Sequence, residues 1–187
     1  MTDNLVPGRP PYLPGDRLPE AETQAMIRVD HAGEYGAVRI YAGQLAIIGR
    51  GRARDEIGHM AEQEKRHLAT FDALVRARHV RPTVLTPLWH VAGYALGAAS
   101  ALMGERAAMA CTVAVEEVID EHYRCQAERL GDADPALSET IQAFRADELA
   151  HRQTAIEHGA TEAPGYELIS AVVKTGSRLA IWLSTRF

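Results

Sequence analysis

The amino-acid sequence predicts an all-α protein built as a four-helix bundle with additional helices. Hydrophobic residues make up 47% of the 187-residue chain and aromatic residues only 6%, a balance that favours helix over sheet. Two long segments of helical character each turn back after a short break, and both segments carry the same spacing of glutamates and histidines. A chain of this length fits a single domain.

The first helical hairpin is predicted over residues 20–79, after a Pro-rich leader over residues 1–19. A turn at Gly49 separates its two helices, and no strong helix breaker occurs before it. Gly33 and Gly36 lie inside the first helix, where each costs about 1 kcal/mol relative to Ala. We therefore predict that these glycines permit another helix to approach closely.

Three further segments complete the predicted domain, which spans residues 20–187. Thr86 and Pro87 provide an N-cap and a first-turn proline for an apolar helix over residues 86–104. A second hairpin follows over residues 105–159, and an amphipathic helix over residues 164–187 ends the chain.

The two hairpins repeat one spacing of acidic residues. Glu34 and Glu64 lie fifteen residues before and thirteen residues after the first turn, and Glu116 and Glu148 repeat both distances about the second. Residues at nearly equal distances from the turn of an antiparallel hairpin lie at the same height. Each hairpin is therefore expected to bring two glutamates level.

Each return helix also carries a histidine three positions after its glutamate, on the same helix face. One Glu from each of two helices, with Glu-x-x-His from each of two others, is the ligand set of ferritin-like di-iron carboxylate bundles. Two divalent ions would neutralise the mutual repulsion of the four carboxylates, and this oxygen-rich set suits iron or manganese. The predicted metal ligands are Glu34, Glu64, His67, Glu116, Glu148 and His151.

Other acidic residues near these positions are predicted to lie outside the ligand set. Glu56 and His59 also form a Glu-x-x-His pair, but they follow the first turn too closely to reach the height of Glu34. Glu117 points about 100° away from Glu116 around the helix axis. We expect Glu117 beside the site or in solvent.

The duplication extends beyond the ligands. The lone glutamates are 82 residues apart, and the Glu-x-x-His pairs are 84 residues apart. Tyr41 and Tyr123 each follow the lone glutamate of their hairpin by seven positions, and Gln44 and Gln126 follow it by ten. These matches support an internal repeat of the two hairpins.

In these residues and in the segments around them, the sequence resembles the demethoxyubiquinone hydroxylase family, the di-iron monooxygenases of ubiquinone biosynthesis. The family's ligands correspond to the six residues named above. Its His–Tyr pair beside the site corresponds to His122 and Tyr123, for which the resemblance implies duties in supporting the ligands or orienting substrate. The segments that carry the resemblance are RVDHAGEYGAVRIYAGQ (28–44), RPTVLTPLWHVAGYALG (81–97), MACTVAVEEVIDEHY (109–123) and RADELAHR (145–152).

The resemblance implies two iron ions per chain and dioxygen as co-substrate. It further implies hydroxylation of the ring of a prenylated demethoxyubiquinol, a late step of ubiquinone biosynthesis, with a lipid-binding accessory protein as partner. The electron donor stays open. Alternatives on the same site are iron storage or a rubrerythrin-like peroxidase, and a non-enzymatic helical membrane adaptor is the alternative without oxygen chemistry.

A polyprenyl quinol would require contact with a membrane surface. The helix at 86–104 has no charged residue from Pro87 to Gly104, and we predict that it lies in the membrane interface, with ordinary core packing or a homo-oligomer contact as the alternatives. The upstream residues expected to meet anionic head groups are Arg76, Arg78, His79 and Arg81. The apolar residues of the last helix are Leu168, Ile169, Val172, Val173, Leu179, Trp182 and Leu183.

Charge and cysteine usage favour a reducing compartment and no nucleic-acid partner. The formal net charge is −5, and the leader has neither a signal-peptide nor a transit-peptide pattern. Cys111 and Cys125 are predicted on one helix, about 21 Å apart, and cannot pair. We expect a bacterial protein on the cytoplasmic side of the cell membrane, peripherally bound.

Overall fold

A computed structural model describes residues 19–187 of the chain, and the predicted leader over residues 1–19 lies outside the described residues except for Pro19, which begins the first helix. Within that range there is no β-strand, so the all-α prediction is confirmed, and the helix ends fall within three residues of the predicted ones. The helices are α1 (Pro19–Ile47), α2 (Arg52–Ala77), α3 (Thr86–Leu102), α4 (Glu105–Leu130), α5 (Pro135–Glu157) and α6 (Tyr166–Ser184), with a single 3-10 turn at Ala160–Glu162.

The bundle consists of two hairpins that face each other. Helix α1 packs against α2, and α4 packs against α5. Contacts between α1 and α4 and between α2 and α5 join the hairpins, while α3 covers α1 and α6 covers α4. One apolar cluster, around Tyr41 and Ile57, lies towards the first turn, and another, around Ile27 and Phe71, lies towards the second. The predicted ligands lie between these clusters.

Helix α3 approaches α1 so closely that the two backbones touch. A Cβ atom on Gly97 would lie 1.9 Å from the carbonyl oxygen of Ile40, and a Cβ atom on Gly43 would lie 2.2 Å from that of Tyr94. No side chain fits at either position. The uncharged, glycine-containing sequence of α3 therefore serves a close backbone contact with α1.

The prediction that Gly33 and Gly36 permit close helix approach is wrong. A Cβ atom on Gly33 would meet only the side chain of Ile119, at 3.9 Å, and one on Gly36 would meet nothing within 4 Å. Both glycines instead border a cavity, and although Gly93 of α3 lies against the carbonyl oxygen of Gly36, the missing side chains of Gly33 and Gly36 are not what permits that contact. The sequence showed that both glycines lie inside a helix, but it did not show which neighbouring groups face them.

A salt bridge joins the ends of the two hairpins. The Arg78 guanidinium donates to both carboxylate oxygens of Asp134, which in turn accepts a hydrogen bond from the backbone N–H of Leu137 and so caps α5. Arg78 also holds the pKa of Asp134 below its usual value. The expectation that Arg78 meets lipid head groups is therefore corrected, since its side chain is engaged within the fold.

The close contact of α3 with α1 can be tested by adding one methyl group. Gly97→Ala is expected to lower the free energy of unfolding by about 1–3 kcal/mol, because the added Cβ collides with backbone. The matched control is Gly58→Ala in α2, where nothing lies within 4 Å. That change is expected to stabilise the protein by about 0.5–1 kcal/mol. Urea unfolding of both variants measures the difference, and equal stabilities would contradict the contact.

Candidate metal centre

The structure brings all six predicted ligand side chains together in the middle of the bundle. Helices α1 and α4 each supply one glutamate, and α2 and α5 each supply a Glu-x-x-His pair. Each of the six is at most 3% exposed. The repeated spacing of the two hairpins therefore brings the glutamates to the same height, as predicted.

The ligand atoms form two overlapping groups, each with its atoms within 4.8 Å of one another. Glu34 and His67 belong only to one group, which we name the first position. Its counterpart, the second position, contains Glu116 and His151. The carboxylates that belong to both groups are Glu64 and Glu148. Two metal ions bridged by two carboxylates would occupy such an arrangement.

Unsatisfied buried atoms indicate that the site fits metal ions. Oε2 of Glu34, Oε1 of Glu64 and Nδ1 of His67 are buried without a hydrogen bond. Nδ1 of His67 lies 3.5 Å from Oε2 of Glu34 and 3.3 Å from Oε1 of Glu148. A buried polar atom without a partner costs about 1–3 kcal/mol, and a divalent ion among these atoms would remove that cost. Carboxylate and imidazole ligands in this proportion suit iron or manganese.

Burial and mutual repulsion shift the acidity of the carboxyl groups. Burial raises the pKa of Glu34, Glu64 and Glu116, and the charge of Glu148 raises each of them further. For Glu148 burial acts in the same direction, but the nearby imidazoles of His151 and His67 outweigh it and lower its pKa to about 2. The metal-free cluster therefore retains protons that divalent ions would displace.

Two tyrosines brace the lone glutamates across the bundle. Tyr41 on α1 donates its hydroxyl hydrogen to Oε1 of Glu116 on α4, at 2.8 Å. Tyr123 on α4 donates likewise to Oε1 of Glu34 on α1. The repeated tyrosines noted in the sequence thus exchange partners between the hairpins. Their spacing was visible in the sequence, but their role in holding the carboxylates was not.

His122 and Tyr123 form hydrogen bonds with different groups. Tyr123 contacts Glu34 directly, whereas Nε2 of His122 lies 3.0 Å from Oδ1 of Asp30 and 2.9 Å from Nε2 of Gln126. Within the described chain, the hydrogen bonds of His122 lead to Asp30 and Gln126 and not to a predicted ligand. A role for His122 towards substrate stays a prediction.

The ligand histidines are fixed from behind by residues that sequence reasoning missed. Nε2 of His67 lies 3.0 Å from Oδ2 of Asp147, and Nε2 of His151 lies 3.1 Å from Oε1 of Gln63. Each partner directly precedes the glutamate of the opposite Glu-x-x-His pair. The position of Asp147 and Gln63 directly before these glutamates was the feature of the sequence from which their role could have been predicted. These contacts leave Nδ1 of each imidazole facing the carboxylates.

The side chains expected outside the ligand set are outside it. Neither metal-like group among residues 19–187 includes Glu56 or His59. Glu117 is partly buried beside the site, where it accepts hydrogen bonds from Arg152 and pairs with Lys174 of α6. These cations lower its pKa against the effect of burial. Glu117 therefore ties α4 to α5 and α6.

An apolar cavity of about 400 Å³ lies between α1, α3, α4 and α6. Its inner wall includes Gly33 and Val115, which directly precede the lone glutamates of the site. Val172 and Leu179 also line it, and both are more than half exposed, so the cavity opens at the surface of α6. The cavity thus connects an exposed apolar surface with the flank of the metal-like cluster.

Fold and site together define a ferritin-like helical bundle with a carboxylate and histidine cluster suited to two metal ions. A family model described as "Ubiquinone biosynthesis protein COQ7" matches residues 21–184. The chain is 55% identical over 175 residues to the 3-demethoxyubiquinol 3-hydroxylase of Rhodospirillum rubrum, covering 93% of this chain and 82% of that relative. It is 49% identical over 175 residues to the human NADPH-dependent 3-demethoxyubiquinone 3-hydroxylase, mitochondrial, covering 91% and 81%. The chain belongs to the COQ7 family.

Proposed function

We propose that this chain is a di-iron monooxygenase that hydroxylates the ring of a prenylated demethoxyubiquinol, 2-polyprenyl-3-methyl-6-methoxy-1,4-benzoquinol, with dioxygen. The buried cluster of four glutamates and two histidines carries this proposal. The names of the bacterial and human relatives state the same hydroxylation of their own substrates. Residues 20–187 would act as a single di-iron domain.

The six residues of the site can be assigned to two iron ions. Glu34 and His67 would hold one ion, Glu116 and His151 would hold the other, and Glu64 and Glu148 are available to both positions. When bound, two ferrous ions supply electrons for the reduction of dioxygen, of which one oxygen atom enters the ring and the other leaves as water. The tyrosine hydroxyls hold the lone carboxylates in place, and the apolar cavity excludes bulk water from the ring.

The reaction consumes two electrons and two protons beyond those of the quinol. The mouse relative, 51% identical over 176 residues, and the human relative are both named NADPH-dependent. A reduced nicotinamide dinucleotide is therefore the donor that we would test first.

The apolar cavity favours the hydroxylase over the alternative uses of such a site. Iron storage needs a polar route for ions, whereas the cavity is lined by Gly, Ala, Val, Leu, Ile and Trp, with Ser177 and Ser184 as its polar side chains. A helical adaptor without chemistry would give no reason to bury six ionisable side chains, each of which is costly to remove from water. The cavity instead fits the ring and first prenyl unit of a quinol.

We also propose peripheral contact with the cytoplasmic side of a bacterial cell membrane. Between residues 19 and 187, no helix is both long enough and apolar enough to cross a bilayer. Helices α3 and α6 nevertheless expose an apolar surface to solvent, and the cavity opens there. The exposed side chains of this surface include Leu88, Val91, Leu102, Leu168, Val172, Leu179 and Trp182. A lipid-binding accessory protein or a second copy of the chain would compete for it.

The first experiment measures iron and product in parallel. The purified protein is expected to hold about two iron ions per chain and, in ferrous form with short-chain demethoxyquinol and dioxygen, to add one oxygen atom to the ring. Glu116→Ala removes one ligand and is expected to lower both values. Glu117→Ala, the adjacent control, should keep both irons because its side chain faces Arg152 and Lys174. Oxygen consumption without hydroxylated quinol would indicate another di-iron oxidase, and absence of stoichiometric metal would refute the proposal.

The cavity can be filled without touching the metal ligands. Gly36→Leu projects a side chain into open space and is expected to lower the hydroxylation rate about 100-fold by displacing the quinol, with iron content unchanged. Gly58→Leu is the matched control, since Gly58 also lies in a helix with nothing within 4 Å and is outside the cavity. Unchanged turnover of the Gly36 variant would show that the quinol takes another route.

Vesicle sedimentation tests the membrane surface. Val91→Glu combined with Leu168→Glu places charges on α3 and α6 away from the cavity wall and is expected to weaken binding to phosphatidylglycerol vesicles tenfold or more. Burial of each apolar side chain contributes about 1.5–3 kcal/mol. Leu149→Glu, an exposed leucine on α5, is the control and should bind as the wild type does. Normal vesicle binding by a double variant that has lost self-association would assign the surface to a homo-oligomer instead.

A further inference from the structure

The lone glutamates of the two hairpins have equivalent hydrogen-bond partners. Each glutamate accepts a hydrogen bond from the tyrosine of the other hairpin, and these tyrosines occupy equivalent places in the 82-residue repeat. Gln44 and Gln126 are equivalent too, and each donates to the residue four positions before the lone glutamate of the other hairpin, Thr112 or Asp30. The tyrosine and glutamine contacts are therefore arranged alike in the two halves, although the partners of the glutamines, Thr112 and Asp30, differ in side-chain type.

The halves differ at the residues behind the ligand histidines. Asp147 and Gln63 occupy equivalent places in the 84-residue repeat, and each bonds to Nε2 of the opposite histidine. The imidazole of His67 thus faces a carboxylate, whereas that of His151 faces a neutral amide. The two hydrogen bonds have nearly equal lengths, 3.0 Å and 3.1 Å, so the difference is one of charge and not of geometry.

A second departure from the repeat lies on the same side. Asp30 and His122, which pair behind Tyr123, correspond to Thr112 and Ile40 in the other half. The first position therefore has two additional acidic groups in its surroundings. Asp30 pairs with His122, whereas the carboxylate of Asp147 lies 3.0 Å from Nε2 of His67 and so contacts a predicted ligand directly.

A carboxylate behind a ligand histidine changes how that histidine binds metal. It holds the proton on Nε2, keeps the lone pair of Nδ1 directed at the metal, and raises the basicity of the imidazole. An amide oxygen orients the ring equally well but adds no negative charge. Loss of such a partner typically costs 10- to 100-fold in metal affinity.

We propose that Asp147 and Gln63 are positioning residues that make the two metal positions inequivalent, so that the first position binds divalent metal more tightly and fills first. This inference rests on the proposed di-iron function. It assigns to the second position the weaker, more readily exchanged ion. The asymmetry belongs to this chain's own residues and requires no difference in the number of ligands.

Stepwise titration of the metal-free protein with Co²⁺, followed by visible absorption and calorimetry, tests the inference. The wild type is expected to bind two ions in steps that differ about 10- to 100-fold in affinity. Asp147→Asn should bring the steps together by weakening the tighter one. Gln63→Glu should bring them together by strengthening the weaker one. These two substitutions change charge with little change in shape, and a merely structural role would not give opposite effects.

Two single-position variants identify which step belongs to which position. Glu116→Gln impairs the second position, and Glu34→Gln impairs the first. The ion retained by Glu116→Gln is expected to be bound more tightly than the ion retained by Glu34→Gln. Adding Asp147→Asn should weaken the retained ion in the first of these backgrounds and leave it unchanged in the second.

The outcomes separate this inference from the proposed function. Two ions bound with affinities that neither Asp147→Asn nor Gln63→Glu alters would overturn the inequivalence and leave the di-iron enzyme in place. Tighter retention by Glu34→Gln than by Glu116→Gln would reverse the order of filling and also overturn it. No stoichiometric binding by the wild type would remove the metal centre itself, and with it both proposals.

Discussion

The structure depends on the burial of four carboxyl groups and two imidazoles at one height of a helical bundle. Water no longer solvates these groups, and burial alone raises the pKa of three of the carboxyls. The fold compensates with hydrogen bonds from two tyrosine hydroxyls and with the close approach of two imidazoles, and two divalent ions would complete the compensation. Because these groups come from α1, α2, α4 and α5, the register of all four helices is tied to this cluster.

The internal repeat explains how one pattern stabilises the cluster from both sides. Each hairpin supplies a lone glutamate and a tyrosine, and the tyrosines cross to the opposite glutamates. Slippage of one hairpin along the other would break both hydrogen bonds at once and leave carboxylates unpaired in the core, where an uncompensated charge is costly. The pair of crossed contacts therefore holds the relative height of the hairpins, while the Arg78–Asp134 salt bridge holds their ends.

The ligand set could be predicted from the sequence because helix geometry is regular. A rise of about 1.5 Å per residue converts equal distances from a turn into equal heights, and i, i+3 spacing fixes the face. Asp147 and Gln63 were missed because they meet histidines of the opposite hairpin, and such contacts depend on how two hairpins are placed rather than on spacing within one. The error on Gly33 and Gly36 has the same origin, since a glycine in a helix can adjoin a backbone or a cavity.

Helix α1 contributes both to the predicted metal site and to the wall of the apolar cavity, and its glycines have two different surroundings. At Gly43 the missing side chain lets α3 touch the backbone, which brings the apolar helix against the bundle without an intervening layer. About two to three turns earlier, Gly33 and Gly36 border the apolar cavity, and their missing side chains leave space there. Larger residues at the first level would push α3 away, and larger residues at the second would close the cavity. Both conditions are met on one helix, and under the proposed function they would let an apolar ring approach the residues next to Glu34.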